Sequence, residues 1–148
     1  MPTLATNPRA KFDYQILETY EAGLVLSGFE VKAAKNNRLI LKGSYVTIKN
    51  GEAWLINAQI MPYQPKNTPA DYEPGRTRKL LLHKKEIEAL IGRIKEKGLT
   101  LTPIRVYTKR NRVKIEFGLG RGKRKIDKRE KIKKRESDRK LERAVKRR

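Results

Sequence analysis

The sequence predicts a mainly β domain followed by a basic tail. Three observations lead there: apolar residues recur at every second position in several short segments, one segment carries a clear helical stripe, and apolar side chains nearly vanish after Leu119. At 148 residues the chain has the size of one ordinary domain.

Taken in order, residues 12–20 put Phe12, Tyr14 and Ile16 on one face of a strand. Glu21-Ala22-Gly23 reads as a turn into the short run Leu24-Val25-Leu26, which Gly28 closes, and residues 30–38 lack β alternation and suit a short helix. Val46 and Ile48 alternate with Thr47 and Lys49; after Asn50-Gly51, Trp54, Ile56, Ala58 and Ile60 follow at period two. Asn-Gly tolerates positive φ at both central positions of a type I′ turn, so this unit is a hairpin. Residues 62–75 hold four of the seven prolines and form a long loop, since proline breaks both helix interiors and central strands.

Arg76-Thr77-Arg78-Lys79 then leads into Leu80-Leu81-Leu82, a strand end feeding a helix over residues 84–97. Ile87, Leu90, Ile91 and Ile94 fall on one helical stripe, with acidic residues near its start, basic ones near its end and Gly98 as a left-handed cap. Gly92 inside this helix suggests a close backbone approach. Two strands finish the body: residues 99–107, whose phase changes at Pro103 as at an edge or a bulge, and the alternating Val113, Ile115, Phe117 and Leu119. Lys109-Arg110-Asn111-Arg112 turns between them.

With about six antiparallel strands and few apolar residues to share, closing the sheet on itself hides its edges. The predicted architecture is therefore an OB-like closed antiparallel β-barrel with one or two inserted helices, over residues 1–119. Gly120-Arg121-Gly122 reads as a flexible joint to a tail, residues 120–148. Glu130–Lys134, Glu136–Lys140 and Glu142–Lys146 are i,i+4 pairs in the favourable order. With little apolar surface, this tail is expected to be disordered when free and helical once a phosphate-rich partner removes the repulsion.

Charge sets the class of partner. The chain has 37 Lys+Arg against 16 Asp+Glu, a net +21; residues 120–148 hold 16 basic and 5 acidic side chains, and the first 119 hold 21 and 11. A basic body joined to a basic tail implies a polyanion that covers much of the molecule. Without an apolar span, a lipidation signal or an amphipathic apolar face, an anionic membrane is excluded as that polyanion. The N-terminus lacks the apolar core of a signal peptide, and with no cysteine the reading is a cytoplasmic nucleic-acid binder.

No catalytic or metal-binding pattern and no cofactor motif emerges. His83 is the only histidine and sits where a strand meets a helix, which suits capping; no carboxylate pair offers two-metal nuclease geometry, and the glycines near residue 120 lack phosphate-loop spacing. Basic residues with interleaved aromatics are the positive signal. Arg76, Arg78 and Lys79 form one cluster, Lys109, Arg110, Arg112 and Lys114 another, and Tyr45, Tyr63 and Tyr72 could stack on bases. Glu21 is the odd carboxylate among them, either facing solvent or holding a base edge or an arginine, and taken alone it reads as solvent-facing. Charge alone also supports a structural or general rRNA-binding ribosomal protein.

Several motifs in fixed order carry a sharper reading: Glu21-Ala22-Gly23, Gly28-x-Glu30-Val31-Lys32, Asn50-Gly51-Glu52, Arg76-x-Arg78-Lys79-Leu80-Leu81-Leu82-His83-Lys84-x-Glu86 and Gly122-Lys123-Arg124-x-x-Asp127-Lys128-Arg129. From about residue 7 to about residue 135 the chain resembles the SmpB, or SsrA-binding, protein family. The resemblance implies an OB-type barrel that binds the tRNA-like domain of transfer-messenger RNA (tmRNA) as a monomer and enters the vacant decoding site of a stalled ribosome. There it starts trans-translation, which tags the unfinished peptide and frees the ribosome. By matching positions, Glu21, Leu81, His83 and Lys114 fall where the family contacts the RNA, with Lys32, Arg76, Arg78 and Lys79 in the same motifs. Arg121, Gly122, Lys123, Arg124, Lys125, Ile126, Asp127, Lys128 and Arg129 fall in the tail motif that acts in the decoding centre and messenger channel against small-subunit rRNA. Departures are Ala33-Ala34-Lys35 for Ser-Leu-Arg, Asn36-Asn37 where glycine is common, and Arg124 for Lys. Ile126 stands where an aromatic or histidine is usual, which leaves an apolar wedge in place of stacking.

Overall fold

The structure, a computed structural model, describes residues 2–123 except 65, 67, 96 and 97. In chain order the elements are β1 (Thr3–Thr6), α1 (Arg9–Asp13), β2 (Tyr14–Leu24), α2 (Gly28–Lys35), β3 (Leu39–Ile40), β4 (Tyr45–Lys49), β5 (Glu52–Ile56), β6 (Gln59–Ile60), β7 (Arg78–Leu81), α3 (Lys84–Ile94), β8 (Leu99–Lys109) and β9 (Arg112–Gly122). The long strands pair antiparallel in the order β8-β4-β5-β7-β2-β9, and β9 pairs again with β8. The sheet thus closes into the ring expected from the shortage of apolar residues, with β1 added outside β8 and β3–β6 as a small separate ribbon. Ala22, Leu55, Leu80, Val106, Ile115, Phe117 and Leu119 fill its interior, and Leu90 of α3 joins this core. Among the described residues no helix is long and apolar enough to cross a membrane.

The hairpin forms as predicted: Tyr45–Lys49 pairs with Glu52–Ile56, and Asn50 and Gly51 have φ of 54° and 73°. Helix α2 occupies the first part of the segment that lacked alternation. It opens on Ser27, whose backbone N–H donates to Glu30 Oε1 at 3.0 Å, half of a capping box. In α3, Ile87 and Leu90 of the stripe are buried; the helix ends at Ile94, and Gly98 has φ +83°. The β8–β9 register shifts between Pro103 and Arg105, the irregularity that the proline announced.

Five expectations are corrected. Phe12 belongs to α1 rather than to a strand with Tyr14 and Ile16, because β2 begins only at Tyr14. Glu21-Ala22-Gly23 is no turn. It lies inside β2, which pairs with β9 from Tyr14–Gly122 to Gly23–Lys114 and passes to β7 at Gly23–Leu81. The small residues serve a crowded crossing, since a Cβ on Gly23 would stand 3.3 Å from that of Leu81. In the hairpin, Ala53 and Leu55 face the core while Trp54 and Ile56 are only half-buried; Asn57, at φ 64°, reverses the phase so that Ala58 and Ile60 turn inward. Gly92 has nothing within 4 Å of where a Cβ would sit, so no close approach explains it. Finally, Gly120-Arg121-Gly122 is strand rather than joint, pairing with Ile16, Gln15 and Tyr14. Lys123 extends the attachment, its N–H donating to the Asp13 carbonyl at 2.9 Å and its Nζ to that of Lys11 at 2.8 Å. The foreseen tail conformation falls on residues outside those described.

Candidate nucleic-acid interface

Pleating and register assemble the site. Where β2 passes from β9 to β7, Gly23 lies opposite both Lys114 and Leu81, so Glu21, Leu81 and Lys114 share the outer face while Ala22, Leu80 and Ile115 turn into the core. His83 follows β7 as the N-cap of α3, its backbone N–H donating to Glu86 Oε1 at 3.3 Å. That is the capping role its position suggested, and its ring stays exposed. These four residues line one concavity of about 820 Å³, whose apolar floor includes Leu24, Leu26 and Val31. Leu81 is 56% exposed within it, an apolar side chain open to a flat ligand.

A second depression of about 460 Å³ adjoins the first, lined by Glu21, Lys109, Arg110, Arg112 and Lys114. Arg110 and Asn111 form the tight turn between β8 and β9, at φ 51° and 62°, and hold this basic cluster at the rim. Glu21, Arg112 and Lys114 line both hollows, so they form one groove with an apolar side and a cationic side. Four cations against one carboxylate at the rim suit a phosphate backbone, and the apolar side suits a base or ribose. Inside the groove the Tyr107 hydroxyl donates to Glu21 Oε2, and Lys109 Nζ lies 3.3 Å from Oε1. The bond from Tyr107, followed by that from Lys109, keeps the Glu21 carboxyl below its ordinary range and ionised at neutral pH.

The other predicted contacts lie elsewhere. Arg78, read as an RNA ligand, has a fully buried side chain: Nη2 bonds Glu30 Oε2 at 2.7 Å and the Pro74 carbonyl at 2.8 Å, and Nη1 bonds the Ala58 carbonyl at 2.8 Å. With its donors occupied inside the protein, it cannot reach a phosphate. Arg76 pairs with Glu30 through Nη2 and Nε, and Lys79 pairs with Glu52 at 3.0 Å on the surface. Tyr72 is structural too, its hydroxyl 3.0 Å from Glu30 Oε2 and its ring edge-on to Phe29 at 4.8 Å. Lys32 is exposed and lies beside Phe29, Tyr63 and Gln64 in a separate hollow, and Tyr45 is exposed on β4. Arg121 and Gly122 end β9, whereas Arg124, Lys125, Ile126, Asp127, Lys128 and Arg129 lie outside the described residues.

Two residues escaped sequence reasoning. Glu30 is the hub of the internal ion cluster, and its signal was the capping-box spacing from Ser27. Burial pushes its carboxyl up, but hydrogen bonds from Arg76, Ser27 and Arg78 outweigh this and hold it at about 2. Tyr107 is 2% exposed. Its signal was the alternation Arg105, Tyr107, Lys109 along a strand that leads into the basic turn.

Comparison with known proteins gives one consistent result. The family model described as SmpB protein matches residues 4–147. An SsrA-binding protein of Gloeothece citriformis is 51% identical over 144 residues, covering 97% of this chain and 93% of that protein. One from Thermosynechococcus vestitus is 49% identical over 145 residues, 98% of this chain and 95% of the relative. A chain solved in "tmRNA-SmpB: a journey to the center of the bacterial ribosome" superposes with a TM-score of 0.68 at 43% identity, over 89% of this chain and 95% of that one.

Proposed function

The chain belongs to the SmpB family, and from that premise we propose that it binds the tRNA-like domain of tmRNA and delivers it to stalled ribosomes in trans-translation. It acts as an RNA-binding protein rather than an enzyme, in the cytoplasm and as a monomer on its RNA. The observation that carries this reading is the groove where Glu21, Leu81, His83 and Lys114 converge from β2, β7, the α3 cap and β9, rimmed by Lys109, Arg110 and Arg112. In this reading the cationic rim holds the phosphate backbone, Leu81 packs on an unpaired base or ribose, and Glu21 accepts from a base edge. Lys32, Arg76 and Lys79 can add phosphate contacts only from outside this groove. Residues 121–129 and those beyond act on the ribosome, in the decoding site and messenger channel, and so lead to peptide tagging.

Competition binding at fixed salt tests the reading, with the tRNA-like RNA set against a duplex of equal length. The expected result is preference for the tRNA-like fold, because charge alone does not distinguish the two. Equal affinity would return the protein to general rRNA binding. Truncation after Lys123, which spares β9, is expected to leave capture of the RNA intact and to abolish tagging on stalled ribosomes.

A further inference from the structure

A glutamate on a cationic rim has an easy fate: three rotatable bonds let it fold onto the nearest lysine and neutralise it. Glu21 pairs with Lys109 through Oε1, but its other oxygen is held apart from the lysines. Its β2 strand lies one strand away from β8, with β9 between, and Tyr107 of β8 sits opposite Lys114, the residue that in turn faces Gly23. From there the Tyr107 hydroxyl reaches across β9 to Glu21 Oε2. The ring is clamped under the Arg105 guanidinium, 4.4 Å from its centroid, and Arg105 pairs with Glu116 at 3.5 Å. Tyr107 therefore lies on the outer face of the sheet and is nonetheless only 2% exposed. It reaches the RNA groove only through its hydroxyl.

We infer that Tyr107 is a positioning residue for RNA capture. With Lys109 it fixes the Glu21 carboxylate, leaving the free lone pairs directed into the groove as acceptors for the amino and imino hydrogens of an RNA base. The inference rests on the proposed role of Glu21 as an RNA contact. Burial, and then the bond to Glu21, push the Tyr107 hydroxyl up, so it remains a donor throughout the physiological range. Without that hydroxyl, Lys109 and Lys114 are free to draw the carboxylate down onto themselves.

A double-mutant cycle read by fluorescence anisotropy of labelled tRNA-like RNA, with the full-length protein at fixed salt, tests this. Glu21→Gln and Tyr107→Phe are each expected to weaken binding about tenfold, the scale of one hydrogen bond to a charged group. The double variant should bind no more weakly than Glu21→Gln, because Tyr107 acts through Glu21. Losses that multiply, or a Tyr107→Phe protein that binds like the parent while Glu21→Gln does not, overturn the inference and leave the role of Glu21 standing. If Glu21→Gln binds like the parent, the Glu21 contact itself fails. Should Tyr107→Phe melt below the assay temperature, the whole cycle is run at a lower temperature at which all four proteins are folded, and the same outcomes decide it.

Discussion

Glu30 and Glu21 both sit among cations, and the molecule uses them in opposite ways. Glu30 is buried, with Arg76, Arg78, Tyr72 and Ser27 saturating both oxygens. It ties α2 to the end of the proline-rich loop and to β7. Glu21 is 38% exposed, holds two partners and opens onto a groove. Both motifs look alike as strings of charge. What separates them is how many oxygen lone pairs remain for a ligand.

The largest expected effect comes from breaking the buried partner of this comparison. Glu30→Ala leaves Arg78 buried without its counter-charge and should cost about 3–5 kcal/mol of stability, a fall of roughly 10 °C or more in Tm by calorimetry. A parent-like Tm would mean that water rescues the cluster. Acid provides a milder form of the same test. The folded value of about 2 lies below the ordinary 4.5, so the contribution of Glu30 is complete above pH 4.5 and is lost as pH falls toward 2. Stability from denaturant melts should fall with pH across that window for the parent and change less for Glu30→Gln.

Changes in the groove should move binding and leave stability alone. Arg112→Ala and Lys114→Ala are each expected to weaken RNA binding and lower the slope of log affinity against log salt by about 1, with Tm nearly unchanged. Lys79→Ala should do least: the pair with Glu52 is half-exposed and worth at most about 1 kcal/mol. A fall in the salt slope for that variant would extend the RNA footprint away from the groove.

Elements governed by local rules were legible in the sequence: the Asn50-Gly51 turn, the α3 stripe, the irregularity at Pro103 and the closure of the ring. What local pattern does not encode is how close another strand comes. Glu21-Ala22-Gly23 looks like a turn because its residues are small, and they are small because β7 and β9 crowd that point. The run Arg76-x-Arg78-Lys79 looks like one basic patch, yet burial of Arg78 depends on Glu30, distant in sequence. In the groove, Glu21, Leu81, His83 and Lys114 were foreseen from the family resemblance, whereas Tyr107 was not, because a nearly buried tyrosine in a strand reads as core.

Strand β9 begins in the groove with Arg112 and Lys114 and ends at Gly122, where Lys123 is fastened to the carbonyls of Lys11 and Asp13. At about 3.4 Å per residue, Lys114 and Gly122 stand roughly 27 Å apart along it. One stiff ribbon therefore acts as a measuring rod. Whatever the grip holds at one end, the root of the following segment starts a set span away at the other, and because β9 is paired along both edges the closed sheet itself fixes that span.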